Sequence, residues 1–304
     1  MSRAVVIGDA LIDELRDDHG VREFVGGAAL NVAVGLARLG VPATLIAMVG
    51  DDEAGARIRS YLADFGVQLL ATPSPRGSSR AVSTRSGGGE PTYVFNDAAQ
   101  HRAVHLGADE RAALDAASVI AISCFPFDDV AQTLALSHAV RASGSPLAID
   151  VNPREGMMHD RAEFVRGFEQ LAAGAALVKI GEDDAELLYG EPLDALRARL
   201  IDAGAGAVLA TQGRAGATIE AGPDVVTRPI SDLPGRIVDT MGAGDAAFAT
   251  VIAAMIDAAP TDAEAWGAAL QRAMDVAAAT CRFEGALLRL PSALTDPDLD
   301  RLGT

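Results

Sequence analysis

Residues 239–245 read DTMGAGD, two glycines held between two aspartates, and run straight into the apolar stretch AAFATVIAAMI. That stretch reads as a helix, and the N–H groups at a helix start attract anions, so an acidic, glycine-hinged turn there calls for a chemical reason. Three readings compete. GAGDAA fits the G-x-G-x-x-A dinucleotide fingerprint, but that motif opens a βαβ unit, and too little strand-like sequence follows residue 257. Asp245 could simply cap the helix, which explains one aspartate and leaves the two glycines without a purpose. In the third reading Gly242, Ala243 and Gly244 aim N–H groups at a transferring phosphoryl group, and Asp245 takes the proton from an attacking hydroxyl. No G-x-x-x-x-G-K pattern offers another phosphate cradle, because Lys179 is the only lysine and lies outside such a context.

Such a turn needs a frame. Short apolar runs (AVVIG, TLIAMVG, SVIAISC, PLAIDVN, ALVKIG, AVLATQG) alternate with helical patterns such as GAALNVAVGLARLG, DEAGARIRSYLADFG and DALRARLIDAG. Repeated strand–helix–strand order requires right-handed crossovers, which predicts an α/β fold: a three-layer α/β/α sandwich with a mainly parallel central sheet. Ligands in such folds gather at the carboxyl ends of the strands. Two polar, extended segments, about 10–25 and 80–105, interrupt the alternation and read as hairpins, either ordinary surface ones or a small β-lid over that edge. With no internal repeat and no long linker, residues 1–304 are expected to form one domain.

Composition narrows the partners. A formal net charge of −17 with 49% hydrophobic residues gives a well-filled core and argues against nucleic acid and anionic membrane as partners. Two cysteines, Cys124 and Cys281, are too few to staple 304 residues and fit a reducing compartment. Asp9, Asp13 and Glu14 break the apolar run of the N-terminus, and no run of about 18 apolar residues occurs. A cytoplasmic location is expected.

At this point the chain resembles the ribokinase, or PfkB, family of sugar kinases. DTMGAGDAAFA is similar to its C-terminal signature and GGAALNVAVGLARLG, residues 26–40, to its N-terminal one. The resemblance spans about Gly8 to Gly285 and implies an α/β sandwich with a β-lid, ATP as donor, Mg²⁺, and a sugar hydroxyl as acceptor. It gives Asp245 the role of catalytic base and Gly242, Ala243 and Gly244 that of an anion hole. Asp13, Gly26, Gly27 and Asn31 match sugar-contacting positions, and Asp9 stands where many members have Glu. TQGRAG places Thr211, Gly213 and Gly216 near the ATP phosphates, with Lys179 close by. KIGEDD resembles K-x-N-x-x-E, with Gly181 for the usual Asn and Asp184 for the usual Glu, so Asp184 inherits the Mg²⁺ role on a shorter side chain. DVNPR makes Asp150, Asn152 and Arg154 candidates for the phosphate and metal side. The resemblance also allows K⁺ at Asp239 and the carbonyls of 281–285, and a homodimer through the lid.

GDALID and DVNPR look most like the fructokinase branch, so fructose is the first acceptor to consider, with ribose, 2-keto-3-deoxygluconate or a nucleoside as alternatives. A nucleoside would need an apolar lid, for which Phe24, Tyr93, Phe95 and Phe125 are the aromatic candidates. A different class also remains, a sugar or nucleotide sensor that keeps the fold without catalysis. His101 and His105 have metal-ligand spacing if helical but lack a third ligand, Cys124 reads as a small apolar side chain, and the alanine-rich run from Trp266 reads as a packed helix.

Overall fold

The computed structural model describes residues 3–17, 20–84 and 92–295, so parts of both expected lid segments, 18–19 and 85–91, lie outside the described residues. Alternation along the first strand, β1 (Ala4–Gly8), already implies two cores: Ala4 and Val6 face one, Val5 and Ile7 the other. Strands buried on both faces read as continuous apolar runs, as β1 and β4 (Ala43–Gly50) do. With β5 (Gln68–Ser74), β8 (Val119–Ser123), β9 (Leu147–Asp150), β10 (Leu177–Gly181) and β11 (Val208–Thr211) they form the parallel part of a nine-stranded sheet. Its order is β13-β12-β11-β10-β9-β8-β1-β4-β5, and β12 (Ala217–Ala221) and β13 (Asp224–Arg228) join antiparallel.

Helices cover both faces. α1 (Ala28–Arg38), α2 (Glu53–Asp64), α9 (Ala243–Ala258) and α10 (Ala263–Thr280) build one core around Leu30, Ile58, Phe248 and Leu270. α4 (Ala108–Asp115), α5 (Val130–Ser143), α6 (Arg161–Ala172), α7 (Glu182–Tyr189) and α8 (Leu193–Asp202) build the other. There Phe127 meets Phe125, Phe164 and Phe168 edge-on at 5.3–5.8 Å, and each such buried ring contributes roughly 1.5–3 kcal/mol. Phe125 therefore belongs to this core, which removes it from the expected lid aromatics.

β2 (Leu11–Asp17), β3 (Gly20–Gly26), β6 (Ser79–Thr84) and β7 (Thr92–Phe95) form a separate four-stranded sheet, the lid. The remainder of segment 80–105 departs from it: α3 (Asp97–Gln100) follows β7, and Arg102 is buried. The lid is rooted at Ser78, whose N–H and hydroxyl both donate to Asp52, at 2.8 and 2.6 Å. Asp52 also accepts the Gly55 N–H at 2.7 Å and so caps α2.

Asp129, Asp160 and Asp262 cap α5, α6 and α10 in the same way. Among the described helices, α1 and α9 alone start instead from a glycine of positive φ, Gly27 at 110° and Gly242 at 75°.

Candidate active site

Those two helix starts converge at the carboxyl ends of β1, β8, β9 and β10. Asp9 follows β1 and takes the place of the missing cap on α1: its Oδ1 accepts the Ala29 N–H at 3.0 Å and its carbonyl accepts the Leu30 N–H at 3.2 Å. A Cβ on Gly27 would stand 2.9 Å from that carbonyl. Asn31, one turn into α1, donates its amide to Asp245 Oδ2 at 2.8 Å. This bond joins the two glycine motifs across 214 residues of sequence. Burial raises the pKa of Asp245, while the Asn31 amide, Lys179 and Arg154 hold it back.

Asp13 reaches the same space from the lid. Its Oδ2 would lie 2.2 Å from a Cβ on Gly26, so that position must be glycine if the carboxylate is to stay where it is. Burial first, then the charge of Asp9, pushes the Asp13 pKa up to about 7, against the pull of Arg154. Arg154 is thus a shared counter-charge for Asp9, Asp13 and Asp245. Phe24 lies directly across the ribbon from Asp13, and register carries the same face through Ala81 to Phe95, with Tyr93 further out.

A buried polar row runs beneath the α9 turn. Gly8, Ser123, Asp150 and Lys179 are register partners on four adjacent strands, so they share one face of the sheet. Lys179 Nζ donates to Asp150 Oδ1 at 2.9 Å, and it would lie 3.3 Å from a Cβ on Gly244, which puts the ammonium directly under the turn. Burial pushes Asp150 up to about 7, with Lys179 opposing. Burial pulls Lys179 down, but the charges of Asp150 and Asp184 outweigh it and keep the ammonium protonated. Asp150 Oδ2 and Ser123 Oγ are buried without a partner.

Asp184 Oδ2 accepts the Gly181 N–H at 2.7 Å at the start of α7. A Cβ on Gly181 would come within 3.3 Å of that oxygen and 3.4 Å of Thr211 Oγ1, a tight fit for anything larger than glycine. Thr211 Oγ1 donates to the Ile180 carbonyl at 3.3 Å. Gly213 faces open space, whereas a Cβ on Gly216 would stand 2.1 Å from the Arg228 carbonyl, so packing against β13 accounts for it. Asp239 holds two backbone N–H groups, Met241 at 3.1 Å and Gly285 at 3.2 Å.

Sequence reasoning missed Arg102. It is buried, bonds the carbonyls of Ala99, Cys124 and Met157, and offsets the charge of Asp9. No local pattern marks an arginine whose side chain will be held by the carbonyls of two remote segments, at Cys124 and Met157. His101 and His105 part company: His101 faces His159, with ring centroids 6.0 Å apart, while the His105 ring lies beside Gly107, 2.9 Å from a Cβ placed there. Cys124 and Asn152 close β8 and β9 with positive φ, 51° and 36°. Burial pushes the Cys124 thiol up to about 12, which makes it a poor nucleophile.

What such an edge handles best is a phosphoryl group passing to an alcohol, the work of the ribokinase-like kinases. A family model described as pfkB family carbohydrate kinase matches residues 1–293, and the chain belongs to that family. It is therefore a sugar or nucleoside kinase. Fructokinase from Rhizobium leguminosarum bv. trifolii is 29% identical over 261 residues, 82% of this chain and 78% of the relative. The crystal structure of aminoimidazole riboside kinase from Salmonella enterica, complexed with aminoimidazole riboside and an ATP analog, superposes with a TM-score of 0.78. It is 24% identical and covers 97% of this chain and 99% of its own. Fructokinase from Xylella fastidiosa with bound ATP gives a TM-score of 0.81 at 20% identity, covering 99% of both chains.

Proposed function

We propose that this protein transfers the γ-phosphoryl group of ATP to a primary hydroxyl of a small sugar, with fructose as the acceptor. The observation that carries the proposal is the Asn31–Asp245 bond, which joins the α9 carboxylate to an α1 side chain at a position that resembles the family's sugar-contacting ones. Asp245 takes the proton of the attacking hydroxyl, and its raised pKa makes it a better acceptor for that proton. The N–H groups of Gly242, Ala243 and Gly244 meet the oxygens of the passing phosphoryl group, with the Lys179 ammonium behind them. Asp13 accepts hydrogen bonds from two hydroxyls of the sugar, and Gly26 and Gly27 let its carboxylate and the Asp9 carbonyl pack close enough to hold that position. Thr211 and Gly213, at the end of β11, flank the nucleotide phosphates.

The residues present fit Mg²⁺. Asp150 Oδ2 is an orphaned carboxylate oxygen, and Asp184 is close enough to raise the pKa of both Asp150 and Lys179. Among the described residues no cluster of three or more His, Cys, Asp or Glu could hold a metal. That suits an ion which keeps several waters and takes its remaining ligands from phosphates. When bound, Mg²⁺ would neutralise charge on those phosphates. For a monovalent cation the support is weaker, because both Asp239 oxygens already hold backbone N–H groups.

ADP release from Mg-ATP across fructose, ribose, 2-keto-3-deoxygluconate and nucleosides tests the proposal. Fructose should give the highest kcat/KM. A nucleoside winning would replace the acceptor, and binding of sugar without turnover of any would favour the sensor. Asp13 must be ionised to accept hydroxyls, so kcat/KM should fall about tenfold per pH unit below pH 7 and level off above it. The sign for stability is opposite. With its folded pKa raised, the contribution of Asp13 is full below its unfolded value of 3.8 and lost as pH rises through about 7.

The lid supports pairing with a second copy, since Val21 and Val94 are 62% and 64% exposed on its outer face. Sedimentation at twice the chain mass is expected, and a monomer across micromolar concentrations would dismiss it.

A further inference from the structure

On the lid ribbon, Arg22 pairs with Leu15 and Phe24 with Asp13, so Arg22 and Phe24 lie on the face that carries Asp13. That face meets two consecutive residues just beyond α10, Glu284 and Gly285. The Arg22 guanidinium ion-pairs with Glu284. The Phe24 ring edge would lie 3.6 Å from a Cβ on Gly285. Behind those contacts, the Gly285 N–H donates to Asp239 Oδ2, and the other oxygen of Asp239 holds the Met241 N–H. Ala286 fills the space beside Gly242, where a Cβ would stand 2.5 Å from the Ala286 carbonyl oxygen. Residues 284–286 therefore touch the lid on one side and brace the 239–244 turn on the other.

We propose that this strap couples closure of the lid over the acceptor to the shape of the α9 turn, with Arg22 and Glu284 as positioning residues. The proposal rests on reading that turn as the anion hole. An acceptor held by Asp13 draws its ribbon inward, Arg22 and Phe24 bear on Glu284 and Gly285, and Asp239 and Ala286 then fix Met241 and Gly242. Energy from binding the sugar is in this way spent on setting N–H groups that act only during transfer. An exposed ion pair adds little to stability, so its removal should register mainly in catalysis.

Arg22→Glu and Glu284→Gln should each lower kcat about tenfold with the KM for ATP unchanged, because small misplacements of catalytic groups are costly. Arg22→Glu/Glu284→Arg should recover to within about threefold of the natural chain. Amide hydrogen exchange gives a readout that needs no turnover: the Met241 and Gly285 N–H groups should exchange faster in both single variants and return to normal in the double one. Unchanged exchange at both amides, or a kcat loss that charge reversal fails to restore, would overturn the coupling. Should the natural chain phosphorylate nothing, the kinase reading fails while the exchange data still judge the strap.

Discussion

Asp245→Asn should lower kcat about 10³-fold while leaving the KM for both substrates within about threefold, since general-base contributions run from about 10² to 10⁴. The substitution is nearly isosteric, and the amide oxygen can still accept from Asn31, so the convergence of α1 and α9 survives. It also removes a carboxylate whose ionisation burial opposes, so the variant should be at least as resistant to denaturant as the natural chain at pH 8. A loss of activity with unchanged or greater stability separates a chemical role from a structural one. Coupled measurement of ADP release with saturating acceptor and Mg-ATP reads the rate, and a kcat within tenfold of the natural enzyme would remove Asp245 as the base.

Lys179→Met should cost about 3–5 kcal/mol of stability, read as a fall in urea midpoint, because it strands the Asp150 carboxylate in the sheet interior. Asp150 Oδ2 already lacks a partner, and the substitution takes the bond from Oδ1 as well. Lys179→Met/Asp150→Asn should recover more than half of the loss, since removing both charges avoids the stranded one. Catalysis should not recover with it, because the ammonium under Gly244 is still missing. A double variant that is both stable and active would show that the pair is only structural. A single variant that loses less than about 1 kcal/mol would show that Asp150 takes up a proton, or reaches water, once the lysine is gone.

Much of this architecture follows from local rules. Alternation of short apolar runs with 3.6-residue patterns gave the α/β sandwich, because a strand buried on both faces and a helix with one apolar stripe are each written in consecutive residues. The glycines of 26–27 and 242–244 mark helix starts where the backbone itself must be approachable, which was legible in the two motifs, while the structure shows that neither start carries a side-chain cap. What the glycines of 242–244 serve was legible only as a competition among a dinucleotide fingerprint, a capped turn and an anion hole. The sequence alone could not say that Asn31 would end 2.8 Å from Asp245, since that depends on where two helices cross after the sheet has closed.

Tertiary structure likewise decided the fate of particular residues. Phe125, an aromatic offered for the lid, went to the core, and Gly216 makes room for β13. Asp150 and Lys179 became a pair because β9 and β10 lie side by side in register, which no spacing of 29 residues encodes. Arg102, Glu284 and Arg22 gained roles from carbonyls and charges brought from remote segments. The sequence by itself determined the elements, the glycine-hinged turns and the chemistry of each side chain, because these obey backbone sterics and hydrophobic period within a few residues. Only the folded chain decided which carboxylate is buried beside Asn31, which caps a helix and which reaches in from the lid, because burial and charge pairing depend on neighbours that sequence distance does not specify.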